Sequence, residues 1–281
     1  MAIKSDYGSR EVEAAQRVLI ELVQILGEYK EDMVLIGGWV PYYLFGKEHI
    51  GSTDIDIALD KDKITNDVYA TIRKHLDKKG YRQGGEQFIF LRDVKIDDGE
   101  PITVQVDFLA GEYGGTDKKH CHQAIQPDLK ARKARGSELA LKYCTTMAVK
   151  GKMPSGSTNS VELRVSNVLP FIVMKGMAMY GRDKEKDAWD IYFCIKHVEG
   201  GAKELSKQFQ GIINHGLVRE GLAKIKSKFQ SIDDYGPSSV VAFEELQDRA
   251  EQEGLRRDAF EQVNSMLDLL EIKPFQSNPD A

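Results

Sequence analysis

Asp54 and Asp56 stand two residues apart in Thr53-Asp54-Ile55-Asp56-Ile57, where acidic and apolar residues alternate. In a strand, that spacing sends both carboxylates out of one face, about 7 Å apart. Two anions so close repel, and the pair becomes favourable when a divalent cation sits between them. Mg²⁺ is the natural occupant, because it is held by a few carboxylates together with the phosphate oxygens of its substrate. Asp107 is central in a second alternating run, Val104-Gln105-Val106-Asp107-Phe108, and would complete a three-carboxylate site. Such sites hold metal for in-line transfer of a phosphoryl or nucleotidyl group. The plain alternative for Asp-x-Asp alone is the solvent face of an edge strand. Upstream, Gly37-Gly38 ends the apolar run Met33-Val34-Leu35-Ile36. A glycine pair there lets the backbone approach phosphate oxygens, and a helix beginning after it offers N–H groups to them.

These residues need elements to hold them. The apolar spacing from Ser9 to about Lys30 predicts a helix, with Val12, Val18, Leu19, Leu22, Ile25 and Leu26 on one stripe. Strands are predicted at 33–36, 53–59, 87–92 and 103–109, the last two joined by the turn chemistry of Asp97-Asp98-Gly99-Glu100-Pro101. Residues 66–79 read as a helix closed by Gly80. Residues 111–135 read as a loop with a short helix, 150–160 as a loop, and 161–165 as a final strand. Beyond Asn167 only helical patterns remain: roughly 169–180, 183–197, 202–215, 217–229, and 238–270 with a break near Gly254. Pro170 suits a first helical turn. The expected fold is α+β: a mixed sheet with flanking helices over 1–167, followed by an all-helical domain over 168–281.

With 281 residues and 41% hydrophobic content the chain can bury a sizeable core. A formal net charge of −5 argues against a DNA-coating role, which needs a large basic excess. Three cysteines without a Cys-x-x-Cys pair disfavour a disulfide framework or a structural zinc site. No apolar run is long enough to span a membrane, and the first ten residues lack a signal region. The expectation is a soluble, cytoplasmic protein with no membrane step. His120-Cys121-His122 lacks the second paired ligand motif of a metal site. Lys118, Lys119, Lys130, Arg132, Lys133 and Arg135 concentrate positive charge, either to guide RNA phosphates toward the acidic site or as a solvated loop. Trp39 and Trp189 read as packing residues. Dinucleotide, Walker-type and serine-hydrolase motifs are missing.

The run Leu35-Ile36-Gly37-Gly38-Trp39-Val40, then Ser52-Thr53-Asp54-Ile55-Asp56-Ile57, resembles the signature of the nucleotidyltransferase (polymerase beta-like) superfamily, and Asp107 resembles its third carboxylate. A second block, Lys175, Ala178, Arg182, Lys186-Asp187 and Asp190-Ile191-Tyr192, is similar to the K-x-x-A-x-x-x-R and K-D-x-x-D pattern of AbiEii-type nucleotidyltransferases, the toxin half of type IV toxin-antitoxin and phage-defence pairs. Gly38 departs from the serine that many relatives carry, so one hydroxyl contact to phosphate is absent. Read on its own, the stretch from Asp183 to Asp190 is equally a solvated helix laced by charge pairs.

The resemblance implies transfer of an NMP from an NTP to an acceptor, RNA (with the tRNA 3′ end as one form) or protein, with pyrophosphate released. It implies Mg²⁺, or Mn²⁺ in its place, at Asp54, Asp56 and Asp107, with Asp107 helping to activate the attacking hydroxyl. Nucleotide binding would fall to Gly37, Gly38, Ser52, Thr53, Lys175 and Arg182. Lys175 would contact the phosphates in the cleft, Asp190 would position that lysine or an acceptor group, and Asp187 would be structural. A cognate antitoxin is implied as partner. Two alternatives share these residues: a two-metal phosphohydrolase or nuclease, in which water replaces the acceptor, and a non-catalytic nucleotide- or protein-binding module of the same fold.

Overall fold

Val34, Leu35 and Ile36 are buried on both sides of their strand, and this short apolar run is the inner rung of the sheet. A computed structural model describes residues 3–64, 71–97, 99–112 and 122–276. The chain divides into two units, one of residues 7–167 and one of residues 1–6 with 168–281.

In the first unit the strands are β1 (Met33–Ile36), β2 (Asp54–Leu59), β3 (Arg82–Gln83), β4 (Ile89–Val94), β5 (Ile102–Ala110), β6 (His122–Gln126), β7 (Leu129–Lys133), β8 (Cys144–Lys152) and β9 (Thr158–Ser166). They form one mixed sheet in the order β3-β4-β5-β2-β1-β9-β8, with β7 also pairing to β5 and to β6. β2 and β5 run parallel, and β1 is antiparallel to β2. Helix α1 (Ser9–Ile25) buries Ala14, Ala15, Val18, Leu19 and Leu22 and packs along β4, β5, β8 and β9. That face of the sheet carries Ile55, Ile57, Val104, Val106, Phe108 and Phe90, all buried, and Arg92 of β4 reaches Glu21 of α1 at 2.9 Å. Period-two alternation therefore leaves Asp54, Asp56, Gln105 and Asp107 on the opposite face.

Helix α2 (Trp39–Phe45) follows β1 through Gly37 and Gly38. Helix α3 (Ile72–Lys78) is capped at its start by the Thr71 hydroxyl, which accepts from the Lys74 N–H. Gly80 ends it at φ +79°, where the Tyr81 N–H returns to the Leu76 carbonyl and the Gly80 N–H to Asp77, closing orphan carbonyls. The first part of the predicted helix, residues 66–70, lies outside the described residues, as do His120, Cys121, Lys118 and Lys119. Helix α4 (Ser137–Lys142) follows β7.

Two expectations are corrected. Residues 122–133 form a β-hairpin rather than a loop with a short helix; the helix comes later, as α4. Residues 150–160 are mostly strand, because β8 and β9 pair over nine positions from Cys144↔Ser166 to Lys152↔Thr158. Both errors have one cause. β8 is an edge strand whose residues are mostly exposed or half-buried, and β7 alternates Leu129 and Ala131 with Lys130 and Arg132, so neither shows a long apolar run.

The second unit holds α5 (Val168–Gly181), α6 (Glu185–His197), α7 (Gly201–Gln210), α8 (Gly216–Lys228), α9 (Tyr235–Glu244) and α10 (Arg249–Leu269). α5 and α8 meet at glycines: a Cβ at Gly176 would fall 2.3 Å from the Gly221 carbonyl oxygen. The break in the last helical stretch lies at 245–248, not near Gly254. Glu245 takes a left-handed φ of +56°, and the Asp248 carboxylate accepts from the Glu251 N–H at 2.9 Å, starting α10 with a side-chain cap. Among the described residues no helix is long and apolar enough to cross a membrane.

Candidate functional site

β2 and β5 are parallel and in register Asp54↔Gln105 and Asp56↔Asp107. Register partners on neighbouring strands point to the same face, so Asp54, Asp56 and Asp107 share one side of the sheet. Asp107 is 7% exposed, and Gln105 donates through Nε2 to its Oδ1 at 2.8 Å. The Ser52 hydroxyl donates to Asp54 Oδ1. Thr53, half-buried, immediately precedes β2.

The floor of this face is backbone. Gly37 has φ +71°, a left-handed conformation that side chains resist, and a Cβ there would lie 2.1 Å from Asp56 Oδ2. Gly38 is helical (φ −65°, ψ −12°) and opens α2. The strand Met33–Ile36 thus turns at Gly37 directly beneath the Asp56 carboxylate. α2 is anchored to β2 by Trp39, which is fully buried and donates its indole N–H to the Asp54 carbonyl at 2.9 Å. Gly51, at φ +83°, packs against Trp39 and Tyr42 and donates its N–H to His49 Nδ1 at 3.0 Å.

Two positioning residues escaped sequence reasoning. Packing alone does not account for Trp39, since an indole N–H in a buried position needs an acceptor. For Gln105 the signal is its place two residues before Asp107 on an alternating strand, which sets it on the same face.

Among the described residues no three His, Cys, Asp or Glu side chains gather closely enough to cage a metal by themselves. The donor set still suits a hard cation that completes its shell with substrate oxygens. Mg²⁺ takes one or two carboxylates from a protein, and Asp56 and Asp107 present carboxylates from paired register positions.

The helical unit contains a second charged cluster. Lys175 of α5 lies 2.7 Å from Asp187 and 2.6 Å from Asp190. Lys186 reaches Asp190 at 2.8 Å, and Arg182, one residue past the end of α5, donates through Nε to Asp187 at 2.9 Å. Asp187 and Asp190 are fully buried, Lys186 is 2% and Lys175 8% exposed. Burial alone would lower the Lys175 ammonium, but attraction to Asp187 and Asp190 overcomes it and the net shift is upward. For Lys186 burial wins over Asp190, helped by repulsion from Lys175, and its pKa falls. Burial would raise Asp187, yet Lys175 and Arg182 hold it below the ordinary carboxylate range. The stretch from Glu185 to Asp190 is therefore buried rather than a solvated face, and both Asp187 and Asp190 hold Lys175 in place.

No protein-family model matches the chain, and no curated protein matches it. Among solved structures, the chain is similar to an antigenic nucleotidyltransferase-like protein from Paracoccidioides brasiliensis, at 18% identity and a TM-score of 0.46 over 85% of this chain and 95% of that one.

Proposed function

We propose that the chain is a Mg²⁺-dependent nucleotidyltransferase of the AbiEii-like kind, moving an NMP from an NTP to a macromolecular acceptor and releasing pyrophosphate. The observation that carries this reading is the pairing of Asp56 with Asp107 on adjacent parallel strands, with Asp54 on the same face and the Gly37 backbone beneath Asp56. Three acids on one side of two neighbouring strands repel one another, an arrangement that is favourable when a cation is shared.

Asp54, Asp56 and Asp107 would hold Mg²⁺, which when bound offsets charge on the triphosphate and orients it for in-line displacement. Gly37 and Gly38 leave room for phosphate oxygens against the backbone where β1 turns into α2. Ser52 and Gln105 fix the rotamers of Asp54 and Asp107 by donating to one oxygen of each. Asp107, the most enclosed of the three, is suited to draw the proton of the attacking hydroxyl. The resemblance of the helical block supports an antitoxin as regulatory partner.

The test is direct. Purified protein is incubated with each α-labelled NTP, Mg²⁺ or Mn²⁺ and total RNA or protein, beside Asp54→Ala. Label retained on a macromolecule by wild type and lost in the variant supports the reading. Label transfer that persists in Asp54→Ala removes the site, and labelled NMP released without any acceptor points to hydrolysis instead.

A further inference from the structure

The basic residues of β7 are sorted by its pleat. β7 runs parallel to β5 with Leu109↔Arg132 and Ala110↔Lys133 in register. Leu109 is two residues past Asp107 and so shares its face; Arg132 and Lys130 therefore join the carboxylates, while Lys133 falls on the other side with Leu129 and Ala131. Arg135 is taken by Glu112 at 3.2 Å. Of the four described basic residues, two flank the carboxylate face. Arg132 lies one strand across and two residues along from Asp107, roughly 5 Å and 7 Å by strand geometry. His122, the register partner of Arg132 on β6, belongs to the same face, and Lys130 Nζ is 3.3 Å from its Nε2. The Arg132 guanidinium sits 5.9 Å from the centre of the Phe88 ring. Among the described residues neither Lys130 nor Arg132 is paired with a carboxylate. Ala124, opposite Lys130, is exposed and too small to cover it.

The strand order β7-β5-β2-β1 sets this cationic pair on one flank of the carboxylates and the Gly37 turn on the other. In-line displacement brings the attacking and leaving groups to opposite sides of the transferred phosphorus. If the glycine flank takes the triphosphate, the flank bearing Lys130 and Arg132 receives the acceptor. This last step rests on the proposed nucleotidyl transfer. We infer that Lys130 and Arg132 form a phosphodiester subsite for a single-stranded RNA acceptor beside Asp107. A protein acceptor has no repeating phosphate to match two half-buried cations; an RNA strand presents one at every nucleotide.

The probe is a short fluorescein-labelled single-stranded RNA, titrated with the full chain across a range of KCl concentrations and read by anisotropy. The Lys130→Gln/Arg132→Gln variant is expected to bind at least tenfold more weakly at low salt. The slope of log K against log salt should shrink by about 1.4, since each phosphate contact to a single strand contributes about 0.7. Lys133→Gln, on the opposite face, should keep the wild-type slope. The charge-keeping exchange Lys130→Arg/Arg132→Lys should restore it, which separates loss of contact from loss of fold. Wild-type protein that does not bind RNA, or a double Gln variant indistinguishable from Lys133→Gln, overturns the subsite. Asp56→Asn is expected to bind RNA as wild type does. Salt-dependent RNA binding through Lys130 and Arg132 without any label transfer by wild type would leave the subsite standing and remove the transferase reading.

Discussion

Asp56 and Asp107 are register partners on adjacent parallel strands, so two carboxylates occupy neighbouring positions on one face of the sheet. Like charges at such positions cost stability, on the order of 0.2–1 kcal/mol by cross-strand pair energetics. On the proposed reading, a shared cation offsets that cost. Asp56→Asn and Asp107→Asn are each expected to reduce nucleotide transfer by at least about 100-fold, the scale of losing a main electrostatic contributor to the transition state. The apo variants should melt no lower than wild type. Divalent-metal titration followed by thermal melting should stabilise wild type and leave Asp56→Asn unmoved.

Gly37→Ala tests the floor of the site. The methyl would fall 2.1 Å from Asp56 Oδ2 at a backbone φ of +71°, so the carboxylate or the turn must move. Left-handed backbone alone costs a non-glycine residue about 1 kcal/mol, and on the proposed reading displacement of Asp56 would also weaken the hold on the cation. The expected result is a melting temperature lowered by several degrees together with transfer reduced as far as in Asp56→Asn. A Gly37→Ala protein of full activity would show that the turn does not carry the site.

The Lys175 network gives an acid-side prediction. Asp187 titrates below its ordinary value of 3.8, since Lys175 and Arg182 more than offset the effect of burial. A depressed carboxyl stabilises the native state above its unfolded pKa and loses that contribution as pH falls through the native one. Melting followed downward from about pH 5 should therefore steepen below 3.8, and Asp187→Asn should flatten that limb. The same substitution should lower stability at neutral pH by about 3 kcal/mol, because it leaves a buried ammonium short of a partner.

Gly176 and Gly221 set how closely α5 and α8 approach. Gly176→Ala drives a methyl into the Gly221 carbonyl at 2.3 Å, where backbone on both sides must give. Overpacking of this kind costs about 1–3 kcal/mol, which chemical denaturation of the full chain would register as a lower midpoint for the helical unit. An unchanged midpoint would mean the helices separate freely.

The carboxylates were legible because their strands alternate strictly: Ile55, Ile57, Val106 and Phe108 turn inward, so Asp56 and Asp107 turn outward. The Gly37 turn was legible because a glycine pair closes a fully apolar strand. That the strand of Asp107 neighbours the strand of Asp54 and Asp56 is expected from the three acids, but their parallel register is not, since register between strands separated by about fifty residues depends on packing that no local pattern encodes. β8 escaped because an edge strand needs no apolar alternation, and the α9–α10 break because the Asp248 cap and the left-handed Glu245 outweigh Gly254, which sits within α10. For residues 183–190 the alternative of a solvated helix fails from Glu185 onward, where the chain is buried, since charges spaced for a solvated helix satisfy one another equally well inside.

The parallel arrangement of β2 and β5 also fixes when the three-acid face is complete. Asp54 and Asp56 leave the ribosome long before Asp107, and antiparallel neighbours alone cannot bring the three together. The chain must complete the crossover through β3 and β4 and seat β5 beside β2, a non-local closure that comes late in assembly. A nascent or truncated chain ending before residue 107 therefore carries Asp54 and Asp56 without Asp107, two of the three acids of this face.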